Sequence, residues 1–568
     1  MRARRLAALG LLAPLLGAAE PVGQDEKILA AMRSELSRST TELVLPGAPK
    51  PYYVGYWVVD SSERSVEATL GAVVSDETSR DRAVKVEVRV GTPESDNSNF
   101  AGNLAADGDF VREAELISPT PAPLDDDDLG VRRALWLATD GAYKGAVEVL
   151  ERKRAAKRSE VASKTDVPSF STEKPATTIE HDAPKLAAGG DPAALARKVS
   201  AVFRSFPEVQ RSDVHVLETT TKKRFVSSEG SSAVETAVFA GVEVTCSGQA
   251  EDGMPLERTA FVAAKIGEPI PEAAALSEAK RIGKELVELV HAPLVEDYAG
   301  PVLFEGKAAA QLVYELLGEA LSGTPAPEGN EELEGPLARK LGRRVLPKGF
   351  TVFDDPTLRT WQGAPLLGAY LVDDEGMPST RAPLVDDGRL TGFLMSRTPR
   401  EGVLHSNGHG RSGLVGWAHG RVGNLFVEAK GGLPRSELRR RLARAAKDEG
   451  ESAALVITEL EPRTTATSGD IVPGAQVAYR IGADGKETLV RGAQIADLSV
   501  RDLRDVLATG SERALYGFLA ESQGGLDVGV SVVAPSLLLE DVEVRGQKSP
   551  NKRAPVVPKP PMDPAPAK

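Results

Sequence analysis

Residues 84–90 read Val-Lys-Val-Glu-Val-Arg-Val, with valine at every second position and a charge at each one between. That period of two belongs to a strand whose two faces meet different surroundings. Residues 51–59, rich in aromatic and β-branched types, and residues 66–74 predict further strands of the same sheet. Helical spacing marks residues 28–43 and a long amphipathic stretch over 129–157. The four aspartates Asp125 to Asp128 precede that stretch, where acidic groups complement a helix N-terminus; they lack the spaced ligands of a calcium loop. Residues 193–206 predict another helix, and residues 214–266 predict antiparallel strands broken at 227–230 and 247–248. The helix expected over 271–291 has Pro271 in its first turn, an apolar face of Leu276, Ile282, Leu286 and Leu289, and Pro293 after its end. From Gly300 the pattern changes to short strands punctuated by glycine, with one central helix starting near Lys307.

The fold class expected is therefore α+β: an N-terminal domain of mixed sheet and helix, then a Gly-rich, mainly antiparallel β domain with one central helix. Residues 20–296 make the first region, with 159–190 (rich in Ser, Thr, Pro and Lys) expected as a linker or surface excursion. Residues 297–546 make the second. Residues 547–568 hold seven prolines and are expected to form a disordered tail. At the other end, Arg2, Arg4 and Arg5 precede an apolar run over 6–16 and the small residues Gly17-Ala18-Ala19. That is the make-up of a signal peptide over 1–19, so the expected location is exported, periplasmic or secreted.

The 568 residues carry a formal net charge of −13. With that balance, and with no basic stripe interleaved with aromatics, nucleic acid is not an expected partner. No later segment is long and apolar enough to predict an integral membrane span. The single cysteine, Cys246, excludes an intramolecular disulfide and reads as a small buried hydrophobe in a strand.

Residues 300–323, GPVLFEGKAAAQLVYELLGEALSG, read as strand, Gly turn and helix. They resemble the stretch of the TldD/PmbA metallopeptidase family (the modulator of DNA gyrase family) that leads into a zinc-binding HExxxH helix. Other blocks resemble that family in the same order. Residues 53–58 and 81–91 resemble its first sheet, and 225–230 its "NSEG" turn. Residues 342–358 and 390–410 resemble the blocks after the helix, 466–470 a "TGD" turn, and 534–540 the closing strand. In the family one kind of subunit holds zinc through two helix histidines and a later cysteine. The PmbA/TldE-like kind lacks these ligands and pairs with it to trim peptides and unfolded segments. At the HExxxH position this chain has Tyr314, Glu315 and Glu319, so the glutamate is kept and both histidines are absent. Residues 522–526, where the cysteine would fall, have none. The resemblance thus implies a PmbA/TldE-like subunit, with no catalytic residue and no cofactor of its own. Zinc is expected in a TldD-like partner, the pair forming a hetero-oligomer that handles peptide or unfolded polypeptide.

Two alternatives follow from the residues. Glu315 and Glu319, four apart on one helix face, could join His405 and His409 in a rebuilt metal site and make the chain a metallopeptidase in its own right. His405, His409 and His419 are the only histidine cluster, but His405-Ser406-Asn407-Gly408-His409 is turn-like and not helical. The other alternative is a stand-alone periplasmic peptide-binding protein. The match of residues 408–413 to GxGxxG lacks the following helix that a dinucleotide site needs.

Overall fold

The computed structural model describes residues 24–100, 118–159, 167–461, 472–482, 484–496, 498–520 and 528–547. The expected signal peptide, the Pro-rich tail, the "TGD" turn and the 522–526 segment lie outside the described residues.

The N-terminal domain is built on an antiparallel sheet. Strands β1 (Pro51–Thr69) and β2 (Ala72–Thr92) form a long hairpin, and β1 pairs on its other edge with β3 (Arg211–Ser227). Strand β4 (Ser232–Gln249) follows, then β5 (Pro255–Ala263), giving the order β2-β1-β3-β4-β5. The break expected at Ser247 and Gly248 is absent, because β4 pairs with β5 through Gln249 and turns only afterwards. Four helices cover one face of the sheet: α1 (Gln24–Glu42), α2 (Asp128–Ser159), α3 (Pro192–Ala201) and α4 (Glu272–His291). Val54, Tyr56 and Val58 of β1 pack with α1 and α2, while Val66 and Ala68 pack with α3 and α4. All five side chains have the same parity, so the helices share one face.

The opposite face carries Trp57, Val59 and the charged positions of the alternating segment. It is not solvated. Lys85, Glu87 and Arg89 are all buried. The C-terminal domain covers them, and so does a segment expected as linker: Phe170 is buried, and the short strand Thr177–Ile179 pairs in parallel with β4. Arg89 lies between the rings of Phe170 (3.7 Å) and Trp417 (4.6 Å). It also pairs with Glu87 and, at 3.0 Å, with Asp96.

The C-terminal domain starts with β6 (Tyr298–Phe304) and α5 (Lys307–Leu317). Then come β7 (Phe350–Asp354), β8 (Ala382–Asp386) and β9 (Asn424–Ala429), followed by α6 (Arg435–Asp448). The chain finishes with β10 (Ala453–Leu460), β11 (Ala475–Gly482), β12 (Ala493–Ala496), β13 (Val506–Ala520) and β14 (Val528–Gly546). The order β8-β7-β9-β14-β12-β11-β10-β6 is not open-ended, because β6 also pairs with β14. The five strands from β14 round to β6 therefore close on themselves. Helix α5 is nearly all buried in the core, against Val302 and Phe304 of β6 and Leu537 and Leu539 of β14. Leu303 and Leu538, of opposite parity, pack instead on α6. The expectation of one helix in this domain is thus corrected to two among the described residues. Helix α6 is crowded with arginine, and its apolar stripe is only Leu438, Leu442 and Ala446. That spacing of four was the available signal.

Arg89 sets a clear test of this packing. Arg89→Ala removes the cation from two buried carboxylates, a change that costs about 3–5 kcal/mol in comparable sites. Arg89→Lys is expected to recover only part of that, because an ammonium cannot stack and bridge as a guanidinium does. Urea unfolding of the two variants measures it. A loss below ~1 kcal/mol for Arg89→Ala would show that the charged face contributes little.

Candidate functional site

Helix α5 is the element that the HExxxH resemblance singles out, and the structure holds it rigidly. Gly306 precedes it at φ 62° and ψ −123°, a conformation that only glycine adopts without strain. Its N–H donates to Ser536 Oγ at 3.1 Å. Gln311 makes two hydrogen bonds with the backbone of Leu460, accepting from its N–H at 2.9 Å and donating to its carbonyl at 3.2 Å. Lys307 pairs with Glu459, which also pairs with the fully buried Arg258 of β5, tying the helix to the N-terminal domain.

On this helix Tyr314 meets Phe518 of β13 edge to face, with ring centres 4.8 Å apart, and Phe518 stacks on Tyr516 at 4.9 Å. Glu315 is half-buried beside them. Burial first, and then the charge of Glu315, push the Tyr516 hydroxyl far above its ordinary range. Glu319 is not on the helix face expected for it: α5 ends at Leu317, and Glu319 is exposed in the turn that follows. A zinc site needs three or four N, S or O donors converging on one point. Here the first position is a phenol ring engaged in aromatic packing and the last is an exposed carboxylate past the helix end. These residues do not fit zinc. Among the described residues, no three His, Cys, Asp or Glu side chains converge as metal ligands.

The loop histidines go to separate places. His405 is exposed and lies 3.4 Å from Glu173. His409 is fully buried, with Nε2 3.1 Å from Asp354 Oδ1 and Nδ1 3.0 Å from Asn407 Oδ1. His419 is exposed, paired across a two-residue strand with Arg411. The structure therefore does not bring His405 and His409 together. His409 fastens its loop to the end of β7. Cys246 is buried with its thiol pushed up to about 12 by burial, as an inert core residue should be.

A cleft of about 320 Å³ lies between the uncovered part of the N-terminal sheet and the C-terminal domain. Thr219, Thr221 and Phe239 line it from the sheet, Arg359 and Tyr370 from the facing loop, and Leu519 from β13. Neighbours along a strand face opposite ways. Phe518 therefore meets Tyr314 while Leu519 reaches the cleft, so α5 and the cleft lie on two sides of one strand.

Behind the cleft sits a cluster that the sequence reading passed over, Asp373-Asp374-Glu375, all three buried. Asp374 joins the domains: it accepts from Lys223 of β3 at 2.7 Å and from the N–H of Ser412 at 3.0 Å. Burial pushes its carboxyl up, but Lys223 and Arg411 outweigh that and hold it well below the usual range. Asp373 accepts from the N–H groups of Glu375, Met377 and Gly410. Glu375 accepts from the N–H of Arg397 at 2.6 Å. Burial, and then the charge of Asp373, raise Glu375 well above the carboxylate range, and burial raises Asp373 too. The two make a buried acidic dyad, in which the charge of Asp373 opposes ionisation of Glu375. Gly376 follows at φ +79°, and a Cβ there would stand 2.0 Å from the Phe225 ring. Three acids beside a glycine in an apolar stretch were the visible sign, but their partners outside this turn come from residues 22 to 151 positions away.

Comparisons with known proteins agree with this architecture. Residues 297–546 match the family model described as the PmbA/TldA metallopeptidase C-terminal domain. The chain is 28% identical over 150 residues to a protein named metalloprotease from Methanothermobacter thermautotrophicus, covering 26% of this chain and 31% of that protein. It is likewise 28% identical over 151 residues to one of the same name from Archaeoglobus fulgidus, covering 27% and 33%. The matches thus span about a third of the length of those curated relatives. Among solved structures, TldE from Thermococcus kodakarensis aligns with a TM-score of 0.58 at 14% identity, over 91% of this chain and 100% of that one. A candidate modulator of a DNA gyrase from Thermotoga maritima aligns at 0.59 and 16%, over 91% and 99%. By sequence, residues 297–546 are a PmbA/TldA-type metallopeptidase C-terminal domain, and over most of the chain the fold is that of the solved TldE and gyrase-modulator structures.

The dyad gives a pH prediction. A carboxyl whose pKa is raised on folding stabilises relative to the unfolded chain at low pH, and this is lost as pH rises through the folded value. Stability should therefore fall from about pH 4.5 upward through neutrality. Glu375→Gln keeps an acceptor for the Arg397 N–H without the titration. The variant should flatten that slope by roughly 1–4 kcal/mol between pH 5 and 8.5. Thermal melts of both proteins across this range decide it; parallel curves would remove the dyad from the account.

Proposed function

We propose that this chain is an exported, metal-free subunit that completes a TldD-type zinc metallopeptidase, pairing with a zinc-bearing homologue to act on peptides or unfolded segments. The observation that carries the reading is Tyr314. It stands where the family resemblance puts the first zinc ligand, with its ring packed against Phe518. A residue so placed serves the scaffold and has no free donor geometry for a metal. The rest of the scaffold is retained around it, including the doubly bonded Gln311 and the salt-bridged Lys307. Retention of the frame without the ligands supports a role in assembly. The cleft between the domains supports a role in holding an extended chain: its threonine-rich wall offers hydroxyls and strand backbone, and Phe239, Tyr370 and Leu519 offer apolar contact.

Three measurements test this reading. Protein purified without added metal should hold no stoichiometric zinc and show no chelator-sensitive peptidase activity. Tyr314→His with Glu319→His should add weak zinc binding at most, since a third ligand and orienting partners are lacking. Turnover by that variant would show a ligand elsewhere. Affinity capture of the mature protein from its native cell envelope should recover an HExxxH homologue in a stable complex, burying more than about 1,000 Å². Recovery of a solitary chain would favour the stand-alone binding protein.

A further inference from the structure

A second concavity lies on the C-terminal domain, on elements separate from those that line the interdomain cleft. It is a groove of about 590 Å³. Its rim is made by Arg339, Lys340, Arg343 and Arg344 from one segment and by Arg501 and Arg504 from another. All six are exposed, and no carboxylate lines the groove. Among the described residues, none of the six makes a salt bridge. Arg344 donates only to the carbonyl of Asp387 (3.1 Å), and Arg504 only to the carbonyl of Arg501 (3.4 Å). Asp502, between the two arginines, is engaged elsewhere: its carboxylate accepts from the N–H and hydroxyl of Ser499. In a chain where acids outnumber bases 82 to 69, six converging cations without an acid run against composition. Elsewhere exposed arginines and lysines do find acids, as Arg64 finds Asp76 and Lys144 finds Asp140.

The groove is also built. Its floor is Leu337, Val345 and Val500, all buried and all part of the domain core. Successive turns hold the first segment, with the Lys340 N–H donating to Leu337 O at 2.9 Å and the Arg343 N–H to Lys340 O at 2.7 Å. Backbone bonds between Gly342 and Leu390, and between Leu390 and Arg343, tie it to the β8 hairpin. The short helix Asp502–Arg504 presents the other two arginines, with Leu503 buried beneath. Cationic side chains on a fixed backbone repel one another unless an anion lies between them, and a groove of one sign gathers counter-charge. Five guanidinium forks favour oxyanions that accept two hydrogen bonds at once, which is the geometry of phosphate.

We propose that this groove is a binding site for a multiply phosphorylated anion, independent of the interdomain cleft and of any partner subunit. The same chemistry is offered by a soluble polyphosphate and by the headgroups of an anionic phospholipid surface.

The test uses the full mature chain with two probes at about 0.15 M salt, where surface charges are already screened beyond ~8 Å. One is inorganic tripolyphosphate, followed by titration calorimetry. The other is vesicles of phosphatidylglycerol and phosphatidylcholine, compared with pure phosphatidylcholine by co-sedimentation. The variant is Arg339→Gln, Arg343→Gln, Arg501→Gln and Arg504→Gln together. All four are exposed, and circular dichroism checks that the fold is kept. A control replaces Lys144, Arg152 and Arg154 of α2 by Gln. Binding of tripolyphosphate that weakens at least tenfold in the groove variant, and not in the control, supports a soluble ligand. Binding confined to the anionic vesicles, with the same loss, supports the lipid surface. No binding of either probe, or equal binding by the groove and control variants, overturns the proposal.

Discussion

The structure depends on a layer of charge enclosed between two hydrophobic bodies. The N-terminal sheet is covered by helices on its valine face and by the C-terminal domain on its charged face. Lys85, Glu87 and Arg89 therefore had to be paired internally. Burial lowers the Lys85 ammonium to about 8 against the pull of Asp374 and Glu87, and its Nζ is held 2.7 Å from Ser412 Oγ. Such an interface is expensive to misalign, because a displaced charge in a dry site has no water to fall back on. It fixes the relative position of the domains more sharply than apolar contact alone would. That matters for a cleft whose two walls belong to different domains.

Much of this was legible from the sequence, and most of the failures share one cause. Periodicity located the principal strands and helices of the N-terminal domain, because a half-covered strand and an amphipathic helix each write their period locally. The family resemblance located α5. What stayed hidden was which second surface each element meets. Val-Lys-Val-Glu-Val-Arg-Val reads as a strand half in water, and nothing within those seven residues says that another domain will cover the charges. The carboxylates Asp373 to Glu375 read as a turn because their partners, Lys223, Arg397 and Gly410, come from remote segments. Helix α6 was missed for the opposite reason: its arginines obscure a narrow stripe that needs only three residues to seat it.

At the position of the HExxxH resemblance, residue identities were legible in the sequence, and what those residues do came only from the structure. Tyr314 fills its place with a ring contact, and Glu319 has slipped past the helix end. Interiors are close-packed and voids cost stability, so the space beside α5 has to be filled. The aromatic stack of Tyr314, Phe518 and Tyr516 fills it. Neighbouring side chains of β13 reach the cleft, so the two faces of that strand serve different surfaces.

The closed ring of strands in the C-terminal domain bears on how the chain is made. Val302 to Phe304 of β6 pair with Leu537 to Leu539 of β14, more than two hundred residues later. The domain's first strand thus waits for its last, and the ring cannot close until β14 has been made. Until then β6 and β12 present unpaired edges, and α5 has only part of its core around it. Closure over so long a loop is slow, and an open edge invites pairing with other chains. For this domain the vulnerable period is therefore the interval before the C-terminal strand is released, when the protein most needs a chaperone to shield its edges.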